Sequence, residues 1–209
     1  MAFSNELMVG VSINNVTGIT GKAYTIQDLV HAGVEAEAMG FDGVWVHDAM
    51  MGRRTTAAYC PINALSAIAG QTKTIKLCTG ILTPQVRNPV MTAQQWATLY
   101  ELSEGRAIMG VGMGAGTPTL IKREFEGLAS LRHGTKLDPG NLYKKRGKVF
   151  DECLDVMRRL WGEDKLTYKG DYFRFNEITL GYGRPAEMPP VLVGSGIYFP
   201  TQVGGPVHH

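Results

Sequence analysis

The sequence predicts an α/β fold built on a parallel sheet, and three features carry that reading. Its strand-like runs are near-continuously apolar, helical stripes fall between them, and each run ends in polar or glycine-rich residues. Apolar strands joined by crossover helices belong to parallel sheets covered on both faces. In such sheets a ligand lies beyond the carboxyl ends of the strands. The stretch Thr74–Gly116 shows the whole unit. Thr74–Leu82 is apolar and β-branched and ends in Thr83-Pro84; Thr92–Leu102 carries a helical stripe; Arg106–Gly112 is apolar again and dissolves into Gly112, Gly114 and Gly116.

The remaining elements follow in order. Leu7–Asn14 reads as a buried strand, and Thr25 is an N-cap for a helix whose apolar face holds Ile26, Leu29, Val30, Val34 and Ala38 and which stops at Gly40. Gly43–His47 is the second strand, with Asp48 just past it, and Ile62, Leu65 and Ile68 mark a helix that admits Pro61 in its first turn. Strand starts thus recur about every 30–35 residues, the length of one βα unit. After the fourth strand the rhythm breaks. Thr117–Asn141 reads as a loop with a short helix, Val149–Trp161 as an amphipathic helix, and Leu166–Phe175 as a hairpin turning at Lys169-Gly170-Asp171. Pro190–Gly194 is the fifth strand. A closed barrel of such units needs eight strands and ~250 residues, so an incomplete one is expected, with an insertion after strand four.

Composition excludes several classes. A net charge of +2 without a dense basic run offers nothing to nucleic acid, and Lys144, Lys145, Arg146 and Lys148 read as a solvated face. Cys60, Cys78 and Cys153 are odd in number and lack zinc-like spacing. With no apolar run near the ~18 residues of a membrane span and no signal-like start in MAFSNELMVG, the expectation is a cytoplasmic protein.

Chemistry is sought at the strand ends. Asp48 is the catalytic candidate, since a carboxylate there is placed to act, although it could equally cap the next turn. Asn14 could hydrogen-bond a ring or substrate, or simply serve a turn. Gly110–Ala115 matches G-x-G-x-x-A, a weak dinucleotide fingerprint; close approach to a flat ring explains Gly112, Met113 and Gly114 better. Gly194, Ser195 and Gly196 could offer backbone N–H groups to a phosphate. Arg87 could hold an anion, bridge subunits or lie on the surface. No Ser-His-Asp set and no metal motif is present.

Several motifs together resemble the luciferase-like monooxygenase superfamily. They are AEAMGFDGVWVHD at Ala36–Asp48, TKTIKLCTGILTPQVRNPVMTA at Thr72–Ala93 and LSEGRAIMGVGMG at Leu102–Gly114. Weaker ones are EFEGL at Glu124–Leu128, MRRLW at Met157–Trp161 and YKGDYFRF at Tyr168–Phe175. The resemblance implies a TIM (β/α)8-type barrel, here with about five βα units over residues 1–196 and an atypical tail at 197–209. It implies a homodimer, a small-molecule substrate and a redox ring lying across the strand ends. Gly80-Ile81 matches the family's frequent non-prolyl cis peptide against that ring, with Thr79 beside it. The Thr79–Pro89 stretch is closest to the branch using coenzyme F420, so hydride transfer with a small organic substrate, as in methylenetetrahydromethanopterin reductase, is expected. FMN with oxygen is the alternative, and a non-catalytic truncated barrel that only binds or dimerises is another. One departure stands out: Ala49 follows Asp48 where the family often has histidine. His47 precedes the aspartate, and strand alternation points it elsewhere.

Overall fold

A computed structural model of the chain describes residues 8–13, 25–49, 58–114, 139–181 and 183–194. Asn14, Ser195, the EFEGL motif and the tail at 197–209 lie outside the described residues. The strands are β1 (Gly10–Ile13), β2 (Gly43–Val46), β3 (Lys76–Thr79), β4 (Ala107–Val111), β5 (Leu166–Lys169), β6 (Arg174–Ile178) and β7 (Val191–Val193). The helices are α1 (Ile26–Ala38), α2 (Pro61–Ala69), α3 (Pro89–Leu102), α4 (Pro139–Lys144) and α5 (Arg146–Gly162).

Five strands form one sheet in the order β1-β2-β3-β4-β7, every pair parallel, and β5-β6 form a separate antiparallel hairpin. An order that follows the sequence, with crossovers of one hand, sets the helices on a single face of the sheet. The packing agrees: α1 meets β1 and β2, α2 meets β2 and β3, α3 meets β4, and α2 touches both α1 and α3. This is the arrangement of a (β/α) barrel wall, in which one face looks to the helices and the other to the lumen. The register Val11↔Val44, Val44↔Leu77 and Leu77↔Ala107 identifies the helix side, and Val44, Val46, Leu77, Ala107, Met109 and Val111 there are all fully buried. Gly10, Ser12, Gly43, Trp45, Lys76, Cys78, Ile108 and Gly110 fall on the other face.

Burial on both faces holds for the middle of the sheet only. Every residue of β4 is buried, whereas Gly10 and Ser12 of β1 are exposed and all of β7 is half-buried. The expectation of a buried first strand is therefore corrected. β1 and β7 are the two edges of the described sheet, and each lacks a neighbour on one side.

Local chemistry explains the boundaries. Thr25 caps α1 through a reciprocal box, its Oγ1 accepting from Asp28 N at 3.1 Å while Asp28 accepts from Thr25 N at 2.8 Å. Gly40, at φ 83°, lets the chain reverse after that helix. α3 begins a turn before the apolar stripe because Asn88 caps it, accepting from Val90 N and Met91 N, with Pro89 at the first position. Trp161 Nε1 donates to Ala93 O at 2.9 Å, tying α5 to α3. The hairpin tip is held by Glu152, whose carboxylate accepts from the backbone N–H groups of Asp171, Tyr172 and Phe173. Gly110 is needed for strand approach: a Cβ there would stand 2.1 Å from Thr79 O. That requirement alone accounts for the first glycine of the dinucleotide-like run.

At the opposite rim, Glu37 of α1 accepts from Lys73 N at 2.8 Å, Thr74 N at 2.6 Å, Ile75 N at 3.0 Å and Thr74 Oγ1 at 3.0 Å. Burial works against its charge, but these donors outweigh it and hold the carboxyl at about 2 rather than 4.5. A depressed folded pKa gives stability that is present above the unfolded value and lost as pH falls. Glu37→Gln is therefore expected to lower stability at pH 7 by about 1–2 kcal/mol after allowance for solvent screening. The deficit closes as the pH drops from about 4.5 towards 2. Urea unfolding of both proteins across that window checks it; a deficit independent of pH would contradict it.

Candidate active site

Among the sequence-predicted site residues inside the described segments, all lie at the carboxyl ends of β2, β3, β4 and β7. Pairing between β3 and β4 runs through Leu77↔Ala107 and Cys78↔Ile108, then resumes at Leu82↔Val111. β3 thus spends one more residue than β4 between those pairs, which makes a bulge at 79–81. Within it, Gly80-Ile81 is a cis peptide bond, as the resemblance implied. Leu82 N donates to Gly110 O at 2.7 Å and Gly112 N to Leu82 O at 3.0 Å, so the bulge is held at its carboxyl end.

The bulge throws Ile81 across the neighbouring strand ends. A Cβ on Gly112 would stand 2.4 Å from Ile81 Cδ1 and 3.0 Å from Gly194 O, and one on Gly194 would stand 3.3 Å from Ile81 Cγ2. Ile81, Gly112 and Gly194 are thereby brought together in a mouth whose backbone is bare. Met113 is exposed beside it and Gly114 turns the chain at φ 82°. A glycine-lined strand end with one apolar side chain laid over it suits the face of a planar ring. Thr79 contributes differently: its hydroxyl is buried and donates to Gly110 O at 2.8 Å.

Asp48 is tied within the chain. Its Oδ2 accepts from Thr83 N at 3.0 Å and Arg87 Nε at 3.3 Å, and its Oδ1 from Arg87 Nη2. The Asp48 side chain is 2% exposed and that of Arg87 14%. This fork of charge-assisted bonds fixes the turn Thr83–Arg87 that follows β3. Arg87 is accordingly a partner of Asp48, and at 14% exposure it is not the surface residue that was one of the readings.

His47 lies on the face away from the helices, two residues beyond Trp45 on the same side of β2. Its Nε2 and Ser12 Oγ are 2.9 Å apart. Sequence reasoning set His47 aside because it precedes the aspartate and strand alternation points it elsewhere; its pairing with a serine on the adjacent strand has no sequence signature. Gln85, fully buried on the turn after β3, leaves both amide atoms unpaired. Among the described residues no group of three His, Cys, Asp or Glu could hold a metal ion, and no helix is long and apolar enough to cross a membrane.

Known proteins resemble this chain in sequence and fold. The family model described as luciferase-like monooxygenase matches residues 7–198. The chain belongs to the luciferase-like monooxygenase family. Among curated members, an F420-dependent glucose-6-phosphate dehydrogenase of Intrasporangium calvum is 36% identical over 173 residues, covering 81% of this chain and 48% of that protein. Its counterpart in Amycolatopsis mediterranei is 34% identical with the same coverage. The solved structure of an F420-dependent secondary alcohol dehydrogenase in complex with an F420-acetone adduct superposes with a TM-score of 0.68. It is 27% identical and covers 89% of this chain and 51% of that one. The chain therefore spans about half the length of the luciferase-like relatives it matches.

Proposed function

We propose that the chain is an F420-linked oxidoreductase that seats the deazaflavin ring at the glycine-lined mouth and transfers hydride between it and a small hydroxylated molecule. The observation that carries the reading is the bulge at Gly80-Ile81, with Ile81 packed over Gly112 and Gly194. It is supported by relatives in the same family that are named as F420-dependent dehydrogenases. Bound there, F420 would accept or donate the hydride.

The chain's own residues have distinct parts in this reading. Ile81 backs the ring, and Gly112, Met113, Gly114 and Gly194 let it approach the backbone. Thr79 and Gly80 hold the bulge. Asp48 positions the Thr83–Arg87 turn beside the ring through Arg87. Cys60, Cys78 and Cys153, none of them in a disulfide, suit the reducing cytoplasm, and the family resemblance carries a homodimer.

The test is a titration of the purified chain with F420 and, separately, with FMN, followed by cofactor absorbance and fluorescence. Saturable binding of F420 in preference to FMN is expected. Binding of FMN alone would overturn the cofactor assignment, and binding of neither would leave a non-catalytic barrel wall as the better description.

A further inference from the structure

The two acid–base candidates at the end of β2 point to opposite faces of the sheet. Asp48 is on the helix side, 2% exposed and engaged by Arg87 and Thr83 N. His47 is on the open face, where Ser12 of β1 meets its Nε2 at 2.9 Å. Both partners are exposed on that face, as a group must be to meet a substrate.

Among the described residues, the rest of the face offers no competing proton acceptor. A Cβ on Gly10 would fall 1.8 Å from Trp45 Cζ3 and one on Gly80 2.7 Å from Trp45 Cδ1, so the indole spreads from β1 to β3 and makes an apolar floor. β3 adds Lys76, at the far end of the strand, and Cys78, whose thiol burial pushes up to about 12 and so keeps protonated. β1 and β4 bring no titratable side chain to it, and α1 and α2 pack on the other face.

We infer that Ser12 and His47 are the proton-accepting pair of this site, an inference that rests on the F420-linked reading above. In the oxidising direction the substrate C–H bond breaks with its electron pair, which leaves as hydride for the deazaflavin. The hydroxyl proton passes to Ser12 Oγ as the serine proton passes to His47 Nε2, and the O–H electron pair closes the carbonyl. The imidazolium then returns its proton to water. Asp48 in this scheme is a positioning residue.

Two measurements on the full chain test the pair. In long-range 15N spectra of the imidazole, Ser12→Ala should move the His47 Nε2 resonance; an unmoved resonance overturns the pairing whatever the cofactor. In F420 reduction by 2-propanol, His47→Gln should lower kcat by about 10²–10⁴-fold, leave F420 affinity within about twofold by the same reasoning, and abolish the acid limb of the pH profile. Asp48→Asn should slow the reaction but retain that limb. Turnover in His47→Gln with the limb intact, or loss of the limb in Asp48→Asn alone, overturns this inference while sparing the F420 reading. A wild-type chain that binds no F420 overturns both.

Discussion

Arg106→Ala is expected to destabilise the protein by about 3–5 kcal/mol. The guanidinium is buried at the amino-terminal end of β4 and uses all of its donors on neutral acceptors. Nε donates to Ser103 O at 2.8 Å, Nη1 to Thr72 Oγ1 at 3.0 Å and Ile75 O at 3.1 Å, and Nη2 to Ala69 O and Thr72 O, both at 3.1 Å. Those carbonyls belong to the end of α2, the following turn and the turn before β4, so one side chain joins the bottoms of two βα units. Truncation strands several buried acceptors at once, each worth about 1–3 kcal/mol when left unpaired. Arg106→Lys restores the charge but not the planar fork, and should recover less than about half of the loss. Equilibrium urea unfolding at pH 7 measures both. A midpoint shift for the alanine variant worth under about 1 kcal/mol would show that water replaces the guanidinium without penalty.

The second large effect concerns Asp48 and Arg87. Arg87→Ala leaves a carboxylate of 2% exposure without its cation, and a loss of about 3–5 kcal/mol is expected. Asp48→Asn keeps an acceptor for Thr83 N and leaves the charge on Arg87, which is more exposed at 14%. Its loss should be smaller, about 1–2 kcal/mol. The double variant should be more stable than the sum of the two single losses, by a coupling of about 1–3 kcal/mol. Because the pair holds the turn after the Gly80-Ile81 bulge, F420 affinity should fall in step with stability in both single variants. Additive losses in the cycle, or unchanged affinity in Arg87→Ala, would show that the fork does not shape the mouth.

Much of this architecture was legible because its signals are local. Capping at Thr25, the stop at Gly40, proline in the first turn of α2 and the hairpin turn at Gly170 are each set by a few adjacent residues. The β1 edge was misread because an apolar run shows that a strand can be buried, not whether neighbours exist to bury it. Side-chain partnerships were the least visible. Arg106 looks like the first residue of an apolar strand, and only the fold reveals that the end of α2 converges on it. Asp48 meets Arg87, and Ser12 meets His47, across 39 and 35 residues of chain. Nothing in either segment alone announces its partner. The cis peptide at Gly80-Ile81 came from resemblance, not from periodicity.

On this reading a planar redox cofactor rests on the carboxyl-end mouth. Amide spectra of the 15N-labelled chain, recorded with and without F420, test it most directly. The largest shifts should fall on Gly80, Ile81, Gly112, Met113 and Gly194, with Gly40, Gly70 and Gly105 at the opposite rim unmoved. Shifts gathered at that opposite rim, with the mouth silent, would contradict it.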